Sequence, residues 1–244
     1  MTFTSWRGDA GMIMPTMRPG SSEEVVRLLP EGLGVLTLYL DIRRGEADEF
    51  HAARPHYEKE AARLADAGCQ VIHPAGAPPF MLLGYKGERR QIEAWQKQYK
   101  AQFFTAGSNH VAALRAFGAK RIVGASYSAV QNRIVVDYMK QAGFDVLAME
   151  PMETPFAEVG HIAPQALYAH VRRLMRAHPK AQAIYIQGSG WRTLDIIETL
   201  ERDFGVPVVQ AVAAKAWEIQ KRLHVFAPRE GYGRLLRELP DLPD

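Results

Sequence analysis

The stretch RIVGASYSAVQNRIVVDYMKQAGFDVLAM, residues 121–149, decides the fold class. Its first run, residues 121–125, is short and apolar on both faces, as suits a parallel strand covered by helices on each side. Residues 129–142 then have the amphipathic spacing of a helix, Gly143 stands where that helix should stop, and residues 145–149 form a second apolar run. Strand, helix and strand in that order make a βαβ unit. Working outward, apolar runs at 11–15, 35–40, 70–73, 101–104, 183–187 and 206–210 bring the predicted strands to eight. Amphipathic stretches at 53–67, 164–178 and 193–204 fall between them. Ser21 followed by Glu24 predicts a capping box ahead of Val25 and Val26, Gly68 a helix stop, and Pro164 a first helical position.

Two loops divide the eight strands into halves. PAGAPP, residues 74–79, follows one buried strand, and Gly188-Ser189-Gly190 follows another. In open parallel sheets ligands sit beyond the carboxyl ends of the strands, so two lobes facing each other across such loops would enclose one site. The expected architecture is α/β, two pseudo-symmetric lobes, each a parallel sheet with helices on both faces and the site in the cleft between them. The first lobe is expected to comprise residues 1–114 and 215–244, the second residues 115–214.

Composition narrows the function classes. Hydrophobic residues at 47% and charged residues at 23% of 244 are those of a globular chain. Thirty Lys and Arg against 27 Asp and Glu leave +3, and the basic residues are scattered, so no nucleic-acid partner is expected. Arg172, Arg173, Arg176 and Lys180 read as the solvated face of a helix. No run approaches the ~18 apolar residues of a membrane span. The single cysteine, Cys69, cannot form an intrachain disulfide or a zinc cluster. With no secretory signal pattern at the amino terminus, a reducing, cytoplasmic address is expected. Association into a homo-oligomer is left open.

The order of several segments carries a family resemblance. AIYIQGSGWRTLDIIE from Ala183, with GVPVV from Gly205, resembles the aspartate/glutamate racemase superfamily, most closely its arylmalonate decarboxylase and maleate isomerase branch. GMIMP from Gly11, GAPPFMLLG from Gly76, LRAFG from Leu114, RIVGASY from Arg121 and Asn132 at the family's interval after Tyr127 agree with it. The resemblance implies two pseudo-symmetric α/β lobes working without cofactor or metal through cysteines at the lobe interface. It places the two cysteine positions at Gly76 and Gly188, and glycine can neither give nor take a proton. A two-thiol racemase mechanism and cysteine attack on maleate are thereby excluded.

What the resemblance preserves is a cradle for a small carboxylate. Thr16, Tyr127 and Ser189 are its expected hydroxyls, with Gly76, Ala77, Gly188 and Gly190 contributing loop backbone and Asn132 and Trp191 completing the binding set. Met14, Met81 and Leu82 are candidate apolar wall, and Trp191 either joins that wall, the preferred reading, or packs between the lobes. The proton would come from Tyr127, from a histidine (His161 or His73) or from bound water. His110 reads as a helix residue, Arg192 as a carboxylate partner or a surface ion pair, and Cys69 as a core residue. Gly188-x-Gly190 lacks the third glycine of a dinucleotide fingerprint, so no nicotinamide cofactor is expected. The expected function is a cofactor-independent decarboxylase, or related lyase or isomerase, for a malonate- or maleate-type acid; the alternative is a carboxylate-binding pseudoenzyme without turnover. A thiol at position 188 is expected to restore family chemistry unless Gly188 holds a positive φ.

Overall fold

The computed structural model describes residues 3–243. All eight predicted strands form: β1 (Gly8–Met14), β2 (Leu33–Tyr39), β3 (Val71–Pro74), β4 (Gln102–Phe103), β5 (Arg121–Ser126), β6 (Asp145–Pro151), β7 (Ala183–Ile186) and β8 (Val208–Gln210). They make two four-stranded sheets, ordered β2-β1-β3-β4 and β6-β5-β7-β8, with every pairing parallel. The second order repeats the first, so the molecule consists of two similar α/β lobes.

Register places the site. Met12 pairs with His73 and Ile13 with Pro74, so the loops leaving β1 and β3 emerge side by side. In the other sheet Ala125 pairs with Ile186, which sets the loops after β5 and β7 together in the same way.

The helices are α1 (Ser21–Leu28), α2 (Ala47–Asp66), α3 (Ala77–Met81), α4 (Gly84–Tyr99), α5 (Ala106–Ala116), α6 (Ala129–Gln141), α7 (Pro164–Ala177), α8 (Ile197–Phe204), α9 (Ala211–Arg222) and α10 (Arg234–Glu238), with 3-10 turns at Phe156–His161 and Leu194–Ile196. Gly68 and Gly143 follow the ends of α2 and α6 at positive φ, and Pro164 opens α7. The expected capping box moves by one residue. Gly20 is the cap of α1, and its N–H donates to the Glu23 carboxylate at 3.0 Å, so Ser21 and Glu24 lie inside the helix.

Helix α2 begins earlier than the sequence pattern indicated and runs through Pro55. Its buried stripe of Phe50, Ala53, Tyr57, Ala61 and Leu64 extends upstream of residue 53, while Pro55 lies on the exposed side, where a lost backbone bond is most easily tolerated. Part of the loop read at 74–79 is helical, because Pro78 and Pro79 fall in the first turn of α3, where the missing N–H groups have no intrahelical partner.

A buried carboxyl ties the lobes together. Glu88 on α4 accepts hydrogen bonds from Thr105 Oγ1 at 2.7 Å, just ahead of α5, and from Tyr138 Oη on α6 of the second lobe. Burial raises the Glu88 pKa from the ordinary 4.5 to about 7. A carboxyl that holds its proton more tightly when folded supports the fold below pH 4.5, and that support is lost as pH rises toward 7. Glu88→Gln should therefore flatten the pH dependence of urea unfolding between pH 4.5 and 7.5 by up to about 3 kcal/mol relative to wild type. Parallel curves for the two proteins would show that Glu88 does not titrate in this range.

Candidate active site between the lobes

The four strand-end loops converge on a cavity of about 70 Å³, room for roughly five water-sized groups. Thr16 and Arg18 come from the loop after β1, Ala75 and Gly76 from the loop after β3, Tyr127 from the end of β5, and Gln187 to Gly190 from the end of β7. Asn109 and His110 on α5 and Lys215 on α9 close the remaining side.

Of the expected binding residues, Thr16, Gly76, Ala77, Tyr127, Gly188, Ser189 and Gly190 line this cavity. Gly188 has φ +98°, and a Cβ built there would overlap the Tyr127 hydroxyl. Gly76 has φ +97°, with its Cβ position 2.9 Å from the Tyr57 hydroxyl, which donates to the Ala75 carbonyl at 2.6 Å. Each glycine thus faces a tyrosine hydroxyl that fills the space a side chain would take. The expectation that a thiol at 188 would restore chemistry is corrected on both counts, by the backbone angle and by the overlap.

The Tyr127 oxygen accepts the Gly190 N–H at 2.7 Å, which leaves the hydroxyl hydrogen for a ligand. Burial raises its pKa, although the Gly190 bond and the Arg18 charge oppose the shift, so the group is a phenol and a donor at neutral pH. Trp191 stands behind this loop instead of in the cavity wall. Its Nε1 donates to the Gly188 carbonyl at 3.1 Å and its ring meets Tyr127 edge to face at 4.7 Å. It braces the loop that the site uses.

His73 lies at the cavity and is buried, with Nδ1 2.9 Å from the Phe104 carbonyl and its ring stacked on Phe104. Burial first, then the Lys215 charge, lower its pKa well below the ordinary value, so it is neutral. The Phe104 bond then fixes the proton on Nδ1 and leaves the Nε2 lone pair without a protein partner. His110 lines the cavity as well, from within α5 as read; its Nδ1 meets the Tyr185 hydroxyl at 2.8 Å, and burial pushes its pKa down to about 3.

Other expected site residues are not brought to the cavity. His161 ends the first 3-10 turn and is exposed. Asn132 uses both ends of its amide within the second lobe, accepting from Ser126 Oγ at 2.8 Å and donating to the Met149 carbonyl at 2.7 Å, while its neighbour Gln131 lines the cavity. Met14 is in the wall as expected. Met81 and Leu82 are not, and Phe50, Pro78 and Pro79 supply apolar surface in their place. Arg192 pairs with Asp195 at the surface. Cys69 is buried ahead of β3, outside the cavity, and burial raises its thiol pKa to about 11. The cavity lining contains no thiol among the described residues.

The sequence reading passed over the charged groups. Arg18 reaches from the first lobe to the second, where its Nη2 donates to the Phe156 carbonyl and its guanidinium covers the Phe156 ring at 4.3 Å. Lys215 is 3% exposed, and its Nζ has no hydrogen-bond partner. A signal for it exists, since it stands alone in the apolar run AVAAKAW, residues 211–217, and lysine is seldom found fully buried. Among the described residues no acidic side chain lines the cavity, and no group of three His, Cys, Asp or Glu is placed to hold a metal ion. No helix among them is long and apolar enough to cross a membrane.

Comparison with known proteins agrees with this architecture. The family model described as arylmalonate decarboxylase matches residues 10–236. The chain belongs to the arylmalonate decarboxylase family. A maleate isomerase of Nocardia farcinica is 30% identical over 192 residues, 74% of each chain. In solved structures, the maleate isomerase Iso of Pseudomonas putida S16 superimposes with a TM-score of 0.87 at 22% identity, covering 95% of this chain and 99% of that one. An arylmalonate decarboxylase matches with a TM-score of 0.78 at 23% identity over 94% and 99% of the two chains. A mutant of the Nocardia farcinica maleate cis-trans isomerase has been captured with a covalently bound succinylcysteine intermediate. Within the family, then, this chain has an interlobe cavity whose described lining offers no cysteine for such an adduct.

Gly188→Cys should lower the unfolding free energy by about 2–3 kcal/mol, because a Cβ must be fitted at positive φ against the Tyr127 ring. Urea unfolding measures it. A variant as stable as wild type would contradict the overlap.

Proposed function

We propose that the protein is a cofactor-independent enzyme acting on a small malonate- or maleate-type carboxylic acid, by decarboxylation or a related lyase or isomerase step, with protonation by a group other than cysteine. The observation that carries this reading is the charge of the cavity: Arg18 and Lys215 line it, with no acidic side chain among its described lining residues. Buried positive charge without a counter-charge is costly, and a small dianion supplies the counter-charge. The family's substrates and the cavity's size point the same way.

Decarboxylation suits the remaining geometry. One carboxylate meets a cationic and hydrogen-bonding side made by Arg18, the Tyr127 hydroxyl and the Ser189 loop, where donors stabilise the enediolate that forms. The other lies against Met14, Phe50, Pro78 and Pro79, an apolar surface that favours its leaving as carbon dioxide. Addition of a cysteine to a double bond, the chemistry of the succinylcysteine-forming relative, has no nucleophile here.

The test is a screen of methylmalonate, phenylmalonate and maleate, read by carbon dioxide release, fumarate formation and exchange of the α-proton in D₂O. Saturable turnover of at least one acid is expected. Tyr127→Phe should reduce kcat/KM by about 10- to 150-fold while costing only about 1 kcal/mol of stability. Ligands that raise the melting temperature without any conversion would favour the pseudoenzyme alternative, and neither binding nor turnover would overturn the carboxylate reading.

A further inference from the structure

Four buried polar atoms without hydrogen-bond partners line this one cavity: Lys215 Nζ, His73 Nε2, Gln187 Oε1 and Asn109 Oδ1. Buried polar groups in folded proteins are otherwise almost always paired, so their convergence marks a surface shaped for a polar ligand. Among the four, only Lys215 carries charge. It projects from α9, whose start Gln210 fixes by accepting the Val212 and Ala213 N–H groups at 2.7 and 3.0 Å. The residues on either side of it are alanines that α9 buries.

The charged groups near Lys215 leave it free to act. Glu218, one turn along α9, is committed to Asn109 and Arg222. Glu24 on α1 is half-buried, and its charge favours the ammonium, but the two form no ion pair. His73 and His110 are both neutral, and each is held so partly by the lysine's own charge. Arg18 and Tyr127 line the same cavity, while Arg234 and Arg237 on α10, which packs on α9, pair with Glu238. Burial lowers the lysine pKa from 10.5 to about 8, so the group is an ammonium at neutral pH that can release a proton at modest cost.

We infer that Lys215 is the proton-transfer residue of the cavity, doing with an ammonium what cysteine-bearing relatives do with a thiol. The inference rests on the carboxylate reading above. In the decarboxylating direction the bond between the α-carbon and the departing carboxylate breaks, and its electron pair stays on the α-carbon, delocalised into the retained carboxylate. Carbon dioxide leaves. A Lys215 N–H bond then breaks as the α-carbon–hydrogen bond forms, and the neutral amine regains its proton from solvent. His73 Nε2 and Gln187 Oε1 are unpaired acceptors in the same cavity, free for the ligand.

The test uses the full chain, with Lys215→Arg, which keeps the charge and cannot release a proton, and Lys215→Met, which removes both. Malonate is the probe. Calorimetric titration at pH 8 in two buffers of different ionisation enthalpy should show proton uptake on binding to wild type, because malonate returns the lysine to its ammonium form. Lys215→Arg should bind malonate without proton uptake, and its α-proton exchange in D₂O should fall about 100-fold or more. Lys215→Met should lose binding while remaining folded, since it removes an unpaired buried charge.

Wild type binding malonate with no proton uptake, or Lys215→Arg exchanging α-protons at the wild-type rate, would overturn the inference and leave the carboxylate reading intact. A borohydride-reduced adduct on Lys215 with a keto acid probe would replace proton transfer by imine chemistry. Absence of malonate binding to wild type would overturn the inference as stated, and the carboxylate reading falls with it only if the acids of the screen also fail to bind.

Discussion

A lysine ammonium enclosed between two lobes, with no carboxylate against it, is the constraint around which the cavity is organised. In a low-dielectric interior such a charge is tolerable only if it is partly deprotonated or met by an anion. Burial brings the Lys215 pKa down to about 8, toward the first condition, but the group is still an ammonium at neutral pH, and the absence of acidic residues from the described lining leaves the counter-charge to a ligand. The same charge helps to keep His73 and His110 neutral, which leaves a lone pair and not a second cation at His73 Nε2. One side chain on α9 therefore reinforces what burial already imposes on two others, on β3 and α5.

The loops opposite are governed by sterics. Parallel sheets bring the ends of β1 and β3, and of β5 and β7, to one interface, and each pair delivers a glycine at positive φ facing a tyrosine hydroxyl. Once Tyr127 occupies the space beside Gly188, the Gly190 N–H is satisfied by its oxygen and Trp191 can pack behind it. The phenol is thereby held at the cavity with its hydrogen available. Arg18 and Glu88 each link one lobe to the other, so the relative position of the two loop pairs is fixed by hydrogen bonds as well as by packing.

The fold was legible in the sequence because parallel strands, buried on both faces, announce themselves as short apolar runs, and all eight were placed. Local chemistry misled where tertiary burial overrode it. Pro55 is tolerated within α2 because its side of the helix faces solvent, and the cap of α1 falls to Gly20 because Glu23 reaches back to it. At the site, residues tied to strand ends by a loop motif, such as Tyr127, Gly188 and Ser189, were readable. Asn132 and Trp191 were not, since their side chains turn to partners within the second lobe that spacing cannot reveal. Lys215 lies outside every motif, six residues beyond GVPVV, and only the packing of α9 makes it part of the cavity, although its isolation in an apolar run was visible.

A crystal structure with malonate bound tests the central claim most directly, that the interlobe cavity is a carboxylate site built on cations and hydroxyls without a thiol. The account predicts density for the diacid between the lobes, one carboxylate within hydrogen-bond distance of Lys215 Nζ or the Arg18 guanidinium and of the Tyr127 hydroxyl. Malonate seated elsewhere, or a cavity closed by a new contact of Lys215 with a protein carboxylate, would contradict it.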